Sequence, residues 1–530
     1  MSNFSDREFP PLRQEIISRR GRTKLDVDRV SRAPVTITDL PDELLLAILQ
    51  CLPGIDLTSV VPGINLTNFL LGLNCNRTKF QLPTLISLSR VNRHFHGLVA
   101  AELYATYNSH FCEPYLFLRS IVSNADLARH VRHVDITYGE KAYRQCKRYV
   151  ANAQDKKAIK DGLRASGIAD WKTLASLCNT DRVELENIYA AIIMQTPKIS
   201  SMIIDAGWLR SYGESGNPDW VNLFKKANSR ASSGLKHKFE HLRSLTVENS
   251  NLRLSQLAPA LRTPSLRKLS LKGLVEHEYG DRNTEQTLQK LIPCRCNSIE
   301  ELYLKQSLLK NNILALVVGA SQHLKVFSYD MSLDNTGEEF YDNDLGSMTP
   351  VEALESQSHS LESLTFLKDI RATEDLPRTF DLRRSLRSFS SLTYLKCQLE
   401  SIVVDDFLAA SLPERLPPAL RALHVSLDDG NPFDPLLGLK HLATGYTIHN
   451  PVLEEVRLMP LSIHRGYHAY DYPGTTALFA RTEVRLIYQA NVDFDGDWSP
   501  HRTTAWGVHA VPDDEVSSES SGEISLYSDD

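Results

Sequence analysis

The chain has 530 residues, 42% hydrophobic and 23% charged; at roughly 150 residues per domain the prior is about three or four domains. That apolar content excludes a chain disordered throughout, and no apolar run reaches the roughly 18 residues that a membrane helix needs. Lys+Arg total 59 and Asp+Glu 65, and the resulting net charge of −6 argues against bulk nucleic-acid binding.

Residues 1–34 are polar, with eight basic and five acidic side chains, and read as a disordered basic arm. The arm lacks an apolar h-region, so no secretory signal is expected, and the sequons at Asn65 and Asn76 read as coincidental. The eight cysteines are scattered. The close pair Cys294 and Cys296 has no second pair at zinc-site spacing, so free core thiols in a reducing compartment are expected. Cytoplasm, nucleus or both is the expected location.

Residues 35–110 carry helical periodicity. Between Thr36 and Gly54, Leu40, Leu44, Leu45, Ile48, Leu49 and Leu52 fall on one helix face. Pro41 suits the first turn, Asp42 and Glu43 complement the helix dipole, and Pro53-Gly54 ends the helix. A second amphipathic stretch is predicted from Thr84 to Tyr104, with Leu85, Leu88, Val91, Phe95 and Leu98 at three- and four-residue steps. A unit of roughly 70 residues this apolar is marginal alone and donates surface to a partner.

The segment LPDELLLAILQCLP followed by LISLSRVNRHFHGLV resembles an F-box. About 26 residues, Thr58 to Pro83, are inserted between its halves; Asn92 stands where Cys is common and Phe95 where Trp is common. The resemblance implies a three-helix hook docked on the Skp-family adaptor of a cullin-RING ubiquitin ligase. By position, Leu40, Pro41, Leu44, Ile48, Leu49, Val91 and Phe95 would supply the adaptor interface.

From residue 131 one spacing recurs: apolar, two variable, apolar, one variable, apolar. It begins Val131-Val134-Ile136, Ile199-Met202-Ile204, Leu242-Leu245-Val247 and Leu266-Leu269-Leu271. It runs on through Ile299, Leu324, Leu361, Leu392, Leu420 and Leu453, at intervals from Leu242 of 24, 33, 25, 37, 31, 28 and 33. One copy means little; ten with similar flanks resemble degenerate leucine-rich repeats. Each copy predicts a short strand that buries its apolar side only by stacking in a parallel sheet. The longer intervals leave room for helices at 254–261, 285–292, 311–320 and 349–356. The asparagine expected after each motif is replaced by Leu274, Ser307, Ser332, Asp369 and Glu400, so irregular repeats are expected. Residues 139–198 look helical and fit no repeat.

Residues 463–512, rich in aromatics and His, read as a cap over the end of the sheet, and Glu483 to Tyr488 alternates as a strand would. Residues 513–530 carry seven acids, no Lys or Arg and six serines. They read as a solvated acidic tail; Ser517, Ser518, Ser520 and Ser521 also fit an acidophilic kinase.

No phosphate loop, HExxH or GxSxG motif occurs, the Asp493–Asp497 run reads as a turn, and His464, His468, His501 and His509 match no ligand spacing. No catalysis, cofactor or metal is expected.

The reading is therefore α/β: an N-terminal three-helix F-box (35–110), then a right-handed leucine-rich-repeat solenoid with a parallel sheet (111–462), the cap and the tail. The family implies a substrate receptor joining a Skp-family adaptor and the cullin-RING core to an unknown protein, with no nucleic acid or membrane involved. The runner-up is a repeat scaffold outside any ligase. The substrate surface is expected on outward strand positions: Thr246, Lys268, Ser270, Glu301, Tyr303, Ser363, Thr365, Tyr394, Lys396, His424, Glu455 and Arg457. Tyr303 and Tyr394 are the favoured anchors, because aromatics dominate interface hot spots.

Overall fold

A computed structural model describes residues 45, 82–110, 112–138, 149–168, 170–180, 185–205, 219–228, 237–248, 252–274, 284–307, 309–331, 348–367, 382, 384–403, 405–427, 434, 436–460 and 472–488. The chain divides into two compact units, Met1–Asp56 with Cys75–Leu98, and Leu57–Asn74 with Val99–Asp530.

In the first unit Leu45 is helical, and Leu45, Leu85 and Phe95 are buried. The single stretch predicted from Thr84 to Tyr104 is two helices, α1 (Leu82–Ser89) and α2 (Arg93–Leu103). Asn92 makes the break: its Oδ1 accepts the Phe95 N–H at 2.8 Å, satisfying a donor that has no partner within the new helix.

The second unit is α/β, built on one open twelve-stranded sheet whose strands lie in chain order. They are β1 (Thr106–Asn108), β2 (His133–Thr137), β3 (Ser201–Asp205), β4 (Ser244–Glu248), β5 (Lys268–Lys272) and β6 (Glu301–Lys305). Then come β7 (Val326–Asp330), β8 (Ser363–Leu367), β9 (Tyr394–Gln398), β10 (Ala422–Leu427), β11 (Glu455–Pro460) and β12 (Arg485–Tyr488). Every pairing is parallel.

The recurring motif maps onto this sheet rung by rung. Its second position forms one column, Val134-Met202-Leu245-Leu269-Leu302-Phe327-Leu364-Leu395-Leu423-Val456. Its third forms another, from Ile136 and Ile204 through Tyr329, Phe366 and Cys397 to Leu458. All these side chains are buried. The first position lies just before each strand, and at several rungs its N–H donates back across a tight turn, as from Leu242 to Phe239 O (3.1 Å) and Leu453 to Asn450 O (3.0 Å), whereas the Leu324 N–H donates to Gln357 Oε1 (3.0 Å). Between rungs, one carbonyl before each strand accepts two N–H groups from the next: Arg267 O takes those of Glu300 (2.8 Å) and Glu301 (3.0 Å).

Helices return the chain between strands. Those expected at 254–261, 285–292, 311–320 and 349–356 are α9 (Leu254–Leu261), α10 (Thr284–Leu291), α11 (Asn311–Gly319) and α12 (Pro350–Leu354). Before them lie α3 (Pro114–Ser123), α4 (Ala125–His130) and α8 (Asp219–Ala227). Between β2 and β3 the helical stretch is α5 (Ala153–Ala165), α6 (Trp171–Cys178) and α7 (Leu185–Gln195). These three helices do not interrupt the sheet, since β2 and β3 pair directly. After β9 come α13 (Asp406–Ala410), α14 (Leu412–Arg415), α15 (Leu436–His449) and α16 (Tyr472–Phe479).

Two strands lie outside the ten motif copies. β1 falls inside the segment 35–110 yet pairs with β2, and β12 extends the sheet beyond β11 from within the segment expected as a cap. The missing asparagines have partial substitutes. Ser307 Oγ accepts the Leu274 N–H (3.2 Å), and Gln357 donates to Val318 O and Ser321 O on the opposite turn. Among the described cysteines, Cys112, Cys178, Cys294, Cys296 and Cys397 are free; burial pushes the Cys178 and Cys397 thiols up to about 12, which keeps them unreactive.

Two helix glycines make opposite predictions. A Cβ on Gly162 of α5 would stand 2.6 Å from Val122 Cβ and 2.7 Å from the Val122 carbonyl oxygen of α3, a backbone atom that cannot swing aside. At Gly319 of α11 the nearest atom is Ser356 Oγ at 3.9 Å. Gly162→Ala should lower the thermal midpoint by several degrees, whereas Gly319→Ala should raise stability by about 0.5–1 kcal/mol through helix propensity. Thermal and urea unfolding of the two variants separates these outcomes.

Candidate functional site

Strand alternation leaves three outward positions on most rungs. The register joins Thr246, Tyr303, Thr365, Lys396, His424 and Arg457 in one column, which also holds Ser270 and Ser328. Lys268, Glu301, Ser363, Tyr394 and Glu455 stand in the neighbouring column. All are half-buried except Ser270, which is only 8% exposed. Ser270 is thus corrected from an exposed to a buried position: it is a short side chain paired between Thr246 and Tyr303.

The face is divided by charge. On β2–β4 it carries Asp135, Asp205 and Glu248 with no Lys or Arg. On β5 and β6 it carries Lys268, Lys272 and Lys305 with Glu301. β7 and β8 contribute Asp330 among Ser328, Ser363 and Thr365. On β9–β12 it carries Lys396, Arg457 and Arg485 with Glu455.

In the acidic stretch, Asn108 Nδ2 donates to Asp135 Oδ2 at 2.8 Å. Burial, with the charges of Glu248 and Asp205, pushes the Asp135 carboxyl up to about 7. On β5 and β6, Lys268 Nζ lies 3.0 Å from Glu301 Oε2 and 4.8 Å from the Tyr303 ring centre. The Tyr303 hydroxyl donates to the same carboxylate at 3.1 Å, and burial beside Glu301 pushes that phenol up to about 12. Tyr303 is therefore a neutral aromatic braced on both sides.

At the far end, Glu455 anchors a network. Arg457 Nη2 and Nε donate to its Oε1 at 2.8 and 3.1 Å, and Arg485 Nη2 donates to its Oε2 at 3.1 Å. His424 Nε2 lies 3.2 Å from Glu455 Oε1, and its Nδ1 lies 3.1 Å from the Tyr394 hydroxyl. The Tyr394 and His424 rings meet edge to face at 4.8 Å. Burial, then the charge of Arg457, holds His424 below the usual histidine range, although Glu455 pulls the other way. Rim pairs such as Arg421–Glu454 (3.1 Å) are well exposed and contribute little.

Asp135, Asp205, Glu248, Lys272, Lys305 and Arg485 were not expected on this face. The signal was available: Asp135 lies between the last two apolar positions of its motif, Asp205, Glu248, Lys272 and Lys305 lie one residue past theirs, and Arg485 lies one residue before Leu486. Of the expected adaptor residues, Leu40, Pro41, Leu44, Ile48 and Leu49 lie outside the described residues; Val91 is 62% exposed and Phe95 is buried. The Asp493–Asp497 run and the four C-terminal histidines also lie outside them. Among the described residues, no cluster of His, Cys, Asp and Glu could hold a metal ion, and no helix is long and apolar enough to cross a membrane.

No protein-family model matches the chain, and no curated protein matches it.

The Asp135 carboxyl makes stability pH-dependent. Its folded-state value, about 7, lies above the ordinary carboxylate range, so the stability tied to its protonated form is complete below about pH 4. That stability is lost as pH rises through 7. Asp135→Asn keeps an acceptor for Asn108 and cannot ionise. It should gain on the order of 2 kcal/mol over wild type at pH 8 and nothing at pH 4, read by urea unfolding.

Proposed function

We propose that this protein is the substrate-recognition subunit of an SCF-type cullin-RING ubiquitin ligase. The observation that carries the reading is the F-box-like sequence LPDELLLAILQCLP with LISLSRVNRHFHGLV, placed ahead of ten stacked LxxLxL repeats. In this reading the first segment is a three-helix F-box and the second a right-handed leucine-rich-repeat solenoid.

Leu40, Pro41, Leu44, Ile48, Leu49, Val91 and Phe95 then form the adaptor-binding set. Val91 is exposed enough to be covered by a partner, while Phe95 is buried and acts by holding α2 in place. The outward face of the sheet presents the substrate. It offers what protein recognition requires: half-buried tyrosines braced by their neighbours, and charge of both signs in separate blocks. The protein performs no bond chemistry in this reading. It raises the local concentration of substrate near the ubiquitin-charged enzyme, and the other subunits supply catalysis.

The test is co-purification with a Skp-family adaptor and its cullin. Wild type should bind. The double change Leu40→Ala with Pro41→Ala, and separately Ile48→Glu, should reduce binding at least about 100-fold, since each removes or charges an apolar contact. Far-ultraviolet circular dichroism of the same samples should show the repeats unchanged. Failure of the wild-type pair to associate overturns the reading.

A further inference from the structure

We propose that Cys294 and Cys296 form a reversible intramolecular disulfide by exchange with a low-molecular-weight disulfide of the glutathione type, which makes the turn after α10 a redox modification site. The inference stands whether or not the first unit binds an adaptor.

Access, spacing and rigidity meet at this turn. Among the described cysteines Cys294 is exposed, Cys112 and Cys296 are half-buried, and Cys178 and Cys397 are buried. Cys294 is therefore no core thiol, and it is the one that a disulfide in solution reaches first. Thiol exchange requires that access, because the thiolate must attack along the line of the S–S bond.

One residue, Arg295, separates the pair, and its φ is 55°. A residue with a side chain is uncommon in that region. The left-handed conformation mirrors a right-handed helical residue, so the Cα atoms on either side of Arg295 stand about 5.4 Å apart. Disulfides join Cα atoms roughly 4.4–6.8 Å apart. An extended residue in the same place would open the gap to about 7 Å. The two sulfurs are also close enough for a charge on Cys294 to act on Cys296.

The neighbouring rung holds the turn in this shape. The Arg295 N–H donates to Gly319 O at the end of α11 (2.9 Å), and the Asn297 N–H donates to Ala320 O (3.0 Å). Gln322 Nε2 donates to Arg295 O at 3.4 Å, and Asn297 pairs with Ser321 in a parallel bridge. The reduced chain thus already carries the bent backbone, and closing the bridge asks for side-chain rotation rather than refolding.

The exchange runs in two steps. Cys294 loses its proton, and its thiolate attacks one sulfur of glutathione disulfide. That S–S bond breaks, one glutathione leaves as a thiolate with the electron pair, and a mixed disulfide remains on Cys294. Cys296 then loses its proton and attacks the Cys294 sulfur, which expels the second glutathione thiolate. Two protein thiols are oxidised by two electrons, one glutathione disulfide is reduced, and the two protons end on the two glutathione thiols. Burial pushes the Cys296 thiol up, which suits it to the second, intramolecular step, and the Arg262 guanidinium opposes that shift by favouring the thiolate.

The test incubates the full chain with glutathione disulfide in excess over glutathione, blocks the remaining thiols with N-ethylmaleimide and digests with trypsin without reductant. Trypsin cuts after Lys290, Arg295 and Lys305, so the disulfide is read by mass as residues 291–295 joined to residues 296–305. Wild type should yield this joined pair as its main product, and excess glutathione should reverse it. Cys296→Ser removes the second nucleophile and should raise the glutathione adduct on Cys294 at least about tenfold over wild type. Cys294→Ser should leave Cys296 reduced over the time in which wild type reacts. Circular dichroism should show both variants folded, since neither side chain is a fully buried one. A wild-type chain that stays reduced overturns the proposal. So does one that stops at the Cys294 adduct with Cys296 free, or one in which either residue joins a different cysteine.

Discussion

The parallel register of the strands is the constraint on which the rest of the second unit depends. Burying two side chains per rung gains roughly 3–6 kcal/mol, while ordering five strand residues costs roughly 5–10 kcal/mol. A single rung therefore cannot stand. It becomes stable when neighbours on both sides share its columns, when its N–H groups find the carbonyls of the preceding rung, and when a helix closes the core. The unbroken columns from Val134 to Val456 and from Ile136 to Leu458 show that demand met without a slipped register. A slip by one residue would turn every apolar side chain outward.

The same constraint explains the tolerance of the rest. Because the columns carry the fold, the return path can vary. Among the described residues, three helices lie in one interval, between β2 and β3, while a single short helix lies in several others. Phe327, Tyr329 and Phe366 occupy places that elsewhere hold Leu, Val, Ile, Met or Cys, since an apolar filling of the column matters more than residue type. The outward face is under weaker packing demands, although Asp135, Thr137 and Ser270 are buried on it. Its side chains are free to encode charge, and they do so in blocks, with an acidic β2–β4 stretch and basic stretches at β5–β6 and β9–β12.

Much of this was legible from spacing. Leu245-Val247 and Leu302-Leu304 announced their strands, and the helices at 254–261 and 311–320 followed from the length of the intervals between motifs. β1 was not legible, because three residues with one inward tyrosine, Tyr107, carry no periodicity. The break in the 84–104 helix was missed because Asn92 keeps the apolar spacing while its side chain takes the Phe95 N–H. On the outward face, Thr246, Tyr303, Thr365, Lys396, His424 and Arg457 were expected and share a column, yet Ser270 proved buried because its neighbours' size decides its exposure.

By itself the sequence determined the strands, their inward sides and the two oppositely charged termini, because these are local properties: period, spacing and composition. The F-box-like motif is legible in the same way, as a string of residues. Only the tertiary structure decided which side chains stand next to one another. Glu455, His424, Arg457 and Arg485 are spread over 62 positions of chain, from 424 to 485 inclusive, and Asp135 lies more than 100 positions from Glu248. Their juxtaposition depends on register across strands. Register is set by the sum of many weak packing and hydrogen-bond preferences over the whole sheet, which no single stretch of sequence contains.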